Sequence, residues 1–313
     1  MSAGLLAVMK ALVPAGQPHA VSFADTGLPE PQPGEALVKV EAFSVNRGEI
    51  FQLEQPRPGT RPGKDIAGLV VQAAADGTGP AAGERVVGHP EAGGWAEYAA
   101  VPTAALAPLP DSVPAVPAAA LPLAGLTALR LLRSAGSVAG RRILLTGASG
   151  GVGHYVTELA VNSGADITVV TSTAERGQRL AALGAAAVVH DIDASAGPFD
   201  LVLESTGGKN LALATDRLAR AGTLIWFGQA SRDPATLSFF DILGGPQTVT
   251  IRSFAYWDSP VSYGRDLAVL VRLVATGRLH PEIGRLAGWA DAAATLTDLY
   301  ERRIRGNAVL TIP

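Results

Sequence analysis

The stretch "ILLTGASGGVGHYVTELA", residues 143–160, joins an apolar run to a helix-like run through Gly147, Ser149, Gly150 and Gly151, with Gly153 following at the helix start. A helix N-terminus leaves backbone N–H groups unspent and carries roughly half a positive charge, which makes it a seat for an anion. Gly150 and Gly151 would let the main chain approach phosphates, Val152 lies between them and the next glycine, and Gly153 would let the helix pack closely on the strand. Ala148 stands where the pattern G-x-G-x-x-G has its first glycine, so the motif alone leaves a purely structural turn open.

The chain beyond the loop favours a dinucleotide. The runs "RILLTG", "ITVVTS", "AAVVHD", "FDLVLEST", "GTLIWFG" and "TVTIRSFAYW" mostly alternate with Ala- and Leu-rich segments of helix length. Strands alternating with helices imply a parallel sheet covered on both faces. About 20 residues beyond the loop, at the end of the second strand, NAD binders place a carboxylate. Here the text is "VVTSTAERGQR", with Ser172 and Thr173 at the strand end, Arg176 one turn on and Arg179 beyond. A guanidinium there favours a ribose 2′-phosphate by roughly 4 kcal/mol for charges about 4 Å apart at a surface-like dielectric. The cofactor read from these residues is NADP(H). Glu175 and Asp191 weigh the other way, and arginines that only solvate a helix face are the alternative.

Before residue 120 the rhythm is different. Short runs such as "EALVKVEAFSV", "DIAGLVVQAA" and "GWAEYAAVP" are punctuated by "PEPQPGE" and "QPRPGTRPG", which reads as antiparallel β-structure. "YGRDLAVLVRLVATGRLHP" and "WADAAATLTDLYERR" then read as helices near the C-terminus, and "NAVLTIP" as a terminal strand. The fold class is therefore α/β, with two domains for 313 residues.

Composition excludes several functions. The formal net charge is −3 and no run of five like charges occurs, so no nucleic-acid partner is expected. No cysteine is present, which removes disulfides, thiol nucleophiles and thiolate zinc sites. "MSAGLLAVMKALVPAG" has no basic region ahead of an apolar core, and no run reaches about 18 apolar residues, so no membrane segment is expected and a cytoplasmic location is the default. "GASGG" lacks the spacing of a nucleophile elbow.

Seven segments in order, "SVNRGEIF", "GKDIAGLVV", "GGWAEYAAVP", "AAALPLAGLTALRLL", "LLTGASGGVG", "FDLVLESTGG" and "GNAVLTIP", resemble the medium-chain dehydrogenase/reductase superfamily, in its zinc-independent quinone oxidoreductase branch. The resemblance implies a GroES-like β domain over 1–120, completed by 266–313, and a Rossmann doubly wound parallel sheet over 121–265. It implies hydride transfer from NADPH to a small-molecule quinone or α,β-unsaturated carbonyl. Carried over by position, Asn46 would lie by the nicotinamide ribose and Thr127 near the phosphates or nicotinamide. Gly150 to Gly153 would hold the pyrophosphate, and Ser172, Thr173 and Arg176 the 2′-phosphate. Phe227 and Gly228 would lie on the nicotinamide side, and Gly306 and Asn307 would reach the cofactor from the C-terminal return.

Two departures bear on mechanism. Zinc-dependent relatives have a cysteine in the stretch here written "FSVNRGE" and a histidine–glutamate pair where this chain has Lys64 and Asp65, and an ammonium cannot ligate zinc. Phe51 stands where the branch often has a tyrosine, and it has no hydroxyl to donate. Glu49 and Lys64 are then the candidates for a proton relay, although such charges often only cap loops or pair. Asp65 reads as loop support, and His89 and His154 are not nominated. Tyr256 and Trp257 are candidates for an aromatic substrate pocket. A homodimer through the edge strand "TVTIRSFAYW" is expected, because an unpaired apolar edge must be covered. The rival readings are a cyclase or dehydratase on the same scaffold and an NADPH-sensing binding protein.

Overall fold

The computed structural model describes residues 8–17, 19–56 and 58–313. Residues 1–7 of the N-terminal stretch, Pro18, and Arg57 within "QPRPGTRPG" lie outside the described residues. The chain opens with β1 (Val8–Pro14), β2 (Val21–Gly27), β3 (Glu35–Val45), α1 (Arg47–Glu54), β4 (Ile66–Gln72), β5 (Arg85–Gly88), β6 (Tyr98–Pro102) and β7 (Leu106–Pro108). Next come α2 (Ala115–Ala119), α3 (Pro122–Ala135), β8 (Arg142–Leu145), α4 (Gly151–Asn162), β9 (Asp166–Val170), α5 (Ala174–Ala182), β10 (Ala187–Val189) and β11 (Phe199–Glu204). It closes with α6 (Lys209–Thr215), β12 (Leu218–Trp226), α7 (Phe239–Gly244), β13 (Thr250–Ser253), α8 (Tyr263–Ala275), β14 (Ile283–Gly288), α9 (Ala292–Tyr300) and β15 (Asn307–Thr311). No helix among the described residues is long and apolar enough to cross a membrane.

These elements form two compact units, one running to Leu126 and resuming over Pro260–Pro313, the other Thr127–Ser259. In the first, a seven-stranded sheet has the order β14-β15-β3-β4-β5-β7, with β6 also on β3. The eleven residues of β3 serve three partners: β4 on one side, and on the other β6 along Glu35–Lys39 and β15 along Ala42–Val45. That pairing lets the C-terminal strand complete the N-terminal sheet. Its core gathers Phe43, Ile50, Trp95, Leu296 and Leu310, and the Trp95 indole donates to the Ser44 carbonyl at 3.1 Å. β1 and β2 form a separate hairpin, tied to the segment before β6 by Leu12 N–H to the Trp95 carbonyl at 2.8 Å.

The second unit holds the six expected strands in one sheet ordered β10-β9-β8-β11-β12-β13. Every neighbouring pair is parallel. Ile143, Leu144 and Leu145 of β8 are all fully buried, as expected for a strand covered on both faces. The order reverses between β8 and β11, and in such sheets ligands bind beyond the carboxyl ends of the strands at that crevice. α5 shows how locally the sequence dictates this unit: the Thr173 hydroxyl accepts from the Arg176 N–H, Glu175 stands in the first turn and Arg179 in the last.

One local expectation is corrected, and two further elements emerge that were not read from the sequence. β13 is four residues long, not the length of "TVTIRSFAYW", because the chain turns after Phe254, with Asp258 N–H bonded to the Ala255 carbonyl. "RGEIFQLE" forms α1, and "IGRLAG" forms β14, paired in parallel with β15 in an otherwise mostly antiparallel sheet. Gly284 hides that strand from propensity, since a side chain there would lie 1.9 Å from the Arg305 carbonyl oxygen.

Gly153 carries the closest approach in the phosphate-loop region. A Cβ on it would lie 2.1 Å from the Ala148 carbonyl oxygen and 2.5 Å from its carbon, both backbone atoms that have no rotamer to escape by. Gly153→Ala is expected to cost about 2–3 kcal/mol, seen as a lower denaturant midpoint with an unchanged slope. A midpoint equal to that of the parent protein would refute the packing argument.

Candidate functional site: a glycine cradle and a buried carboxylate network

In the second unit, β8 ends at Leu145 and the chain turns through Gly147, whose φ of +61° belongs to the left-handed region. A side chain on Gly147 would meet the Ser205 hydroxyl at 2.5 Å. The loop is pinned to its neighbours: Ala148 N–H donates to the Val170 carbonyl at the end of β9, and Gly150 N–H to the Gly147 carbonyl. α4 then starts with Gly150 as its N-cap and no capping side chain. The first-turn N–H groups of Gly151, Val152 and Gly153 lie where a helix makes no internal bond, at the positive end of its dipole.

Glu204 organises the rim of this crevice and was not singled out in the sequence. Fully buried at the end of β11, its carboxylate accepts from the Thr146 hydroxyl at 3.0 Å, Thr206 N–H at 2.8 Å and Gly207 N–H at 3.0 Å, and from the Thr206 hydroxyl. Ser205 N–H returns a bond to the Thr146 hydroxyl at 2.9 Å, and Ser205 Oγ donates to the Thr146 carbonyl at 3.0 Å. The ends of β8 and β11 are thus locked together. Phe227 N–H donates to the Glu204 carbonyl at 2.9 Å, which brings the end of β12 into the same rim. Gly228 sits against Ser205, where a Cβ would lie 3.0 Å from its carbonyl oxygen.

Arg176 lies beside the loop. Arg176 Nε donates to Ser149 Oγ, inside the glycine loop, at 3.0 Å. Ser172 and Thr173 are exposed at the end of β9 next to it. Glu175 and Asp191 are exposed. Gly150 to Gly153, Ser172, Thr173, Arg176, Phe227 and Gly228 therefore share one end of one sheet. Thr127 is buried on α3. Tyr256 accepts through its carbonyl from Arg130 at 2.7 Å, and Trp257 packs edge-on to it while remaining 67% exposed. These residues fit a dinucleotide: a close-approach cradle, unspent amides and a guanidinium in reach of the loop.

The first unit holds a second polar cluster, and its centre is Asp65, not the residues nominated from sequence. Asp65 is fully buried just before β4 and accepts four hydrogen bonds. They come from Ser44 Oγ at 2.5 Å, Asn46 Nδ2 at 2.7 Å, Leu123 N–H at 2.9 Å and His89 Nδ1 at 3.2 Å. Glu49, also fully buried, accepts from Asn46 N–H at 2.8 Å and Lys64 N–H at 2.9 Å, closing the first turn of α1. Its pKa is pushed up to about 8, first by burial and second by the Asp65 charge, against the pull of the Asn46 and Lys64 donors.

Lys64 joins the cluster through its main-chain N–H, and Glu49 lies wholly inside the protein with its carboxyl perturbed by burial. Asn46 is held by both carboxylates, since its Nδ2 also lies 3.4 Å from Glu49 Oε2 and 3.2 Å from Ser44 Oγ. Phe51 projects from α1 with 39% of its surface exposed. Asn307 spends its N–H and its Nδ2 on the Glu282 carbonyl at 2.8 and 3.0 Å, beside Gly306 with φ +70°. Among the described residues no three His, Asp or Glu side chains gather as a metal site.

Comparison with known proteins agrees with this architecture. The model of the alcohol dehydrogenase GroES-like domain matches residues 32–111, and that of the zinc-binding dehydrogenase matches residues 151–268. The spectinabilin polyketide synthase system protein NorB of Streptomyces orinoci is 31% identical over 294 residues, 90% of this chain but 13% of NorB. The chain likewise spans about half the length of other curated relatives it matches, 49% of one and 52% of another. Quinone oxidoreductase of Rattus norvegicus is 31% identical over 223 residues, 65% of this chain and 67% of the rat protein. A mycobacterial protein solved as its NADPH complex superposes with a TM-score of 0.87 at 27% identity, over 97% of this chain and 100% of that one. With its β-rich unit closed by the C-terminal strand and its parallel sheet opened by a glycine cradle, the chain belongs to the medium-chain dehydrogenase/reductase superfamily of oxidoreductases, in the quinone oxidoreductase-like branch.

Proposed function

We propose that the chain is an NADPH-dependent oxidoreductase that passes hydride to a quinone or an α,β-unsaturated carbonyl without zinc. The observation that carries the reading is the Arg176–Ser149 contact, which sets a guanidinium against the loop where a pyrophosphate would lie. Gly151, Val152 and Gly153 hold the pyrophosphate by their N–H groups, and Arg176 with Ser172 and Thr173 holds the 2′-phosphate. Phe227 and Gly228 face the nicotinamide side, and Asn46 the nicotinamide ribose. Bound NADPH supplies the hydride; the chain's work is to hold donor and acceptor in contact and keep water out.

Zinc independence rests on donor chemistry. A carboxylate has about four lone-pair sites, and the four donors on Asp65 occupy them. An ammonium at Lys64 and an amide at Asn46 supply no replacement for thiolate or imidazole. Because Phe51 has no hydroxyl and Glu49 is fully buried, the proton that completes the reduction comes from solvent or from another side chain. Glu49 and Asp65 act by positioning Asn46.

Three outcomes are expected. Absorbance at about 340 nm falls when 1,4-benzoquinone or a simple enone is added to protein and NADPH, at a rate that EDTA leaves unchanged; no turnover on either acceptor class, or loss with EDTA, contradicts the reading. Arg176→Ala weakens NADPH about 10–100-fold, the worth of one charge-assisted bond, and NADH less than about 3-fold; equal losses in calorimetry reject the 2′-phosphate role. The third concerns Glu49. Below pH 4.5, its ordinary value, the carboxyl is neutral in folded and unfolded chains alike. From there to about pH 8 the unfolded chain sheds the proton that the folded chain keeps, so the folded state loses ground, and beyond about pH 8 the penalty is constant. The unfolding free energy of Glu49→Gln relative to the parent should therefore rise by up to ~1.4 kcal/mol per pH unit across that window; a flat difference contradicts a raised carboxyl.

A further inference from the structure

The first unit contains a recess that the nucleotide reading does not use. Val13 and Pro14 at the end of β1, Thr26 at the end of β2, and Pro56, Pro58 and Arg61 of the loop after α1 border a space of about 500 Å³. Small-molecule sites occupy about 300–1,000 Å³. Prolines and a valine give it stiff apolar walls, with little side-chain freedom to lose on binding.

Among the described residues, Arg61 is the charged group in this wall. Its main chain is fixed, since its carbonyl accepts from Gly93 N–H at 2.9 Å, and its Nη1 donates to Thr26 Oγ1 at 2.9 Å. Among the described residues no carboxylate pairs with it. The acids of the adjoining elements are committed elsewhere: Asp25 to Lys10 at 3.0 Å, and Glu54 to His19 at 3.4 Å. Burial alone lowers the affinity of this guanidinium for its proton. A guanidinium carries five N–H donors, and Thr26 takes one. A cation partly withdrawn from water without a counter-charge is costly, and an arriving carboxylate relieves that cost by paired, charge-assisted bonds in the geometry of the fork.

We propose that this recess binds a small organic monocarboxylate, its carboxylate on the Arg61 guanidinium beside the Thr26 hydroxyl and its apolar body against Val13, Pro56 and Pro58. The site is independent of the nucleotide proposal, because none of its residues takes part in that proposal. The Arg61 guanidinium matches a carboxylate, and the apolar walls favour a flat or branched hydrocarbon over a polyol.

The test is a ligand-observed NMR titration of the full chain with benzoate, and with benzyl alcohol as its neutral counterpart. Saturable benzoate binding at least about ten-fold tighter than benzyl alcohol is expected, weakening with added salt. Arg61→Gln, which keeps a polar side chain without the charge, should raise the benzoate Kd at least about ten-fold with little effect on benzyl alcohol. If that variant is unstable, Arg61→Lys keeps the charge but not the fork, and should bind benzoate more weakly and still in a salt-dependent way. Benzoate that binds no better than benzyl alcohol, or equally well to Arg61→Gln or, where that variant fails, to Arg61→Lys, overturns the site. NADPH titrated into the same samples reads the nucleotide site separately, so failure of one proposal is not mistaken for failure of the other.

Discussion

A carboxylate taken wholly out of water must find donors for its lone pairs or lose its charge. In each unit of this chain one such group is satisfied by segments distant in sequence. Asp65 collects donors from the end of β3, the start of α1, the end of β5 and the start of α3. Glu204 collects them from the end of β8 and the loop after β11. Each removes the freedom of the loops that would hold substrate or cofactor. Glu49 takes the other course: with Asp65 charged beside it, it keeps its proton up to about pH 8.

The cofactor side depends on a different balance. Helix α4 offers fixed partial charges that cost nothing to reorganise, whereas Arg176 brings a full charge on a flexible stem. Its bond to Ser149 spends part of that flexibility in advance. The dipole is indifferent to which nicotinamide nucleotide arrives, and the guanidinium is not. Under the proposed reading, affinity and selectivity therefore lie in separate elements, one at the end of β8 and the other one turn into α5.

The sheet of the second unit was legible because its strands are short apolar runs between alanine-rich helices, and because a glycine loop between β8 and α4 has few other uses. The strands of the first unit were legible from their breakers. β14 was not, since "IGRLAG" holds two glycines, one required by close approach to Arg305 and neither informative about pairing. The site divided in the same way. Gly150, Gly153 and Arg176 lie within one βαβ unit and carry local signals. Asp65 is bonded to residues 21, 19, 24 and 58 positions away, and no local pattern distinguishes it from a loop aspartate. Glu204 left a faint trace, an acid closing the apolar run "FDLVLE".

The proposed zinc-free chemistry draws its support from Asp65. A zinc ion and a network of N–H and O–H donors compete for the same carboxylate lone pairs. Ser44, Asn46, His89 and the Leu123 amide already hold those of Asp65, at no more than 3.2 Å. Bringing a divalent ion there would break four hydrogen bonds and still leave it short of ligands. The same network fixes Asn46, and under the proposed reading an acceptor whose developing charge delocalises into a conjugated carbonyl has more use for a fixed geometry than for a Lewis acid.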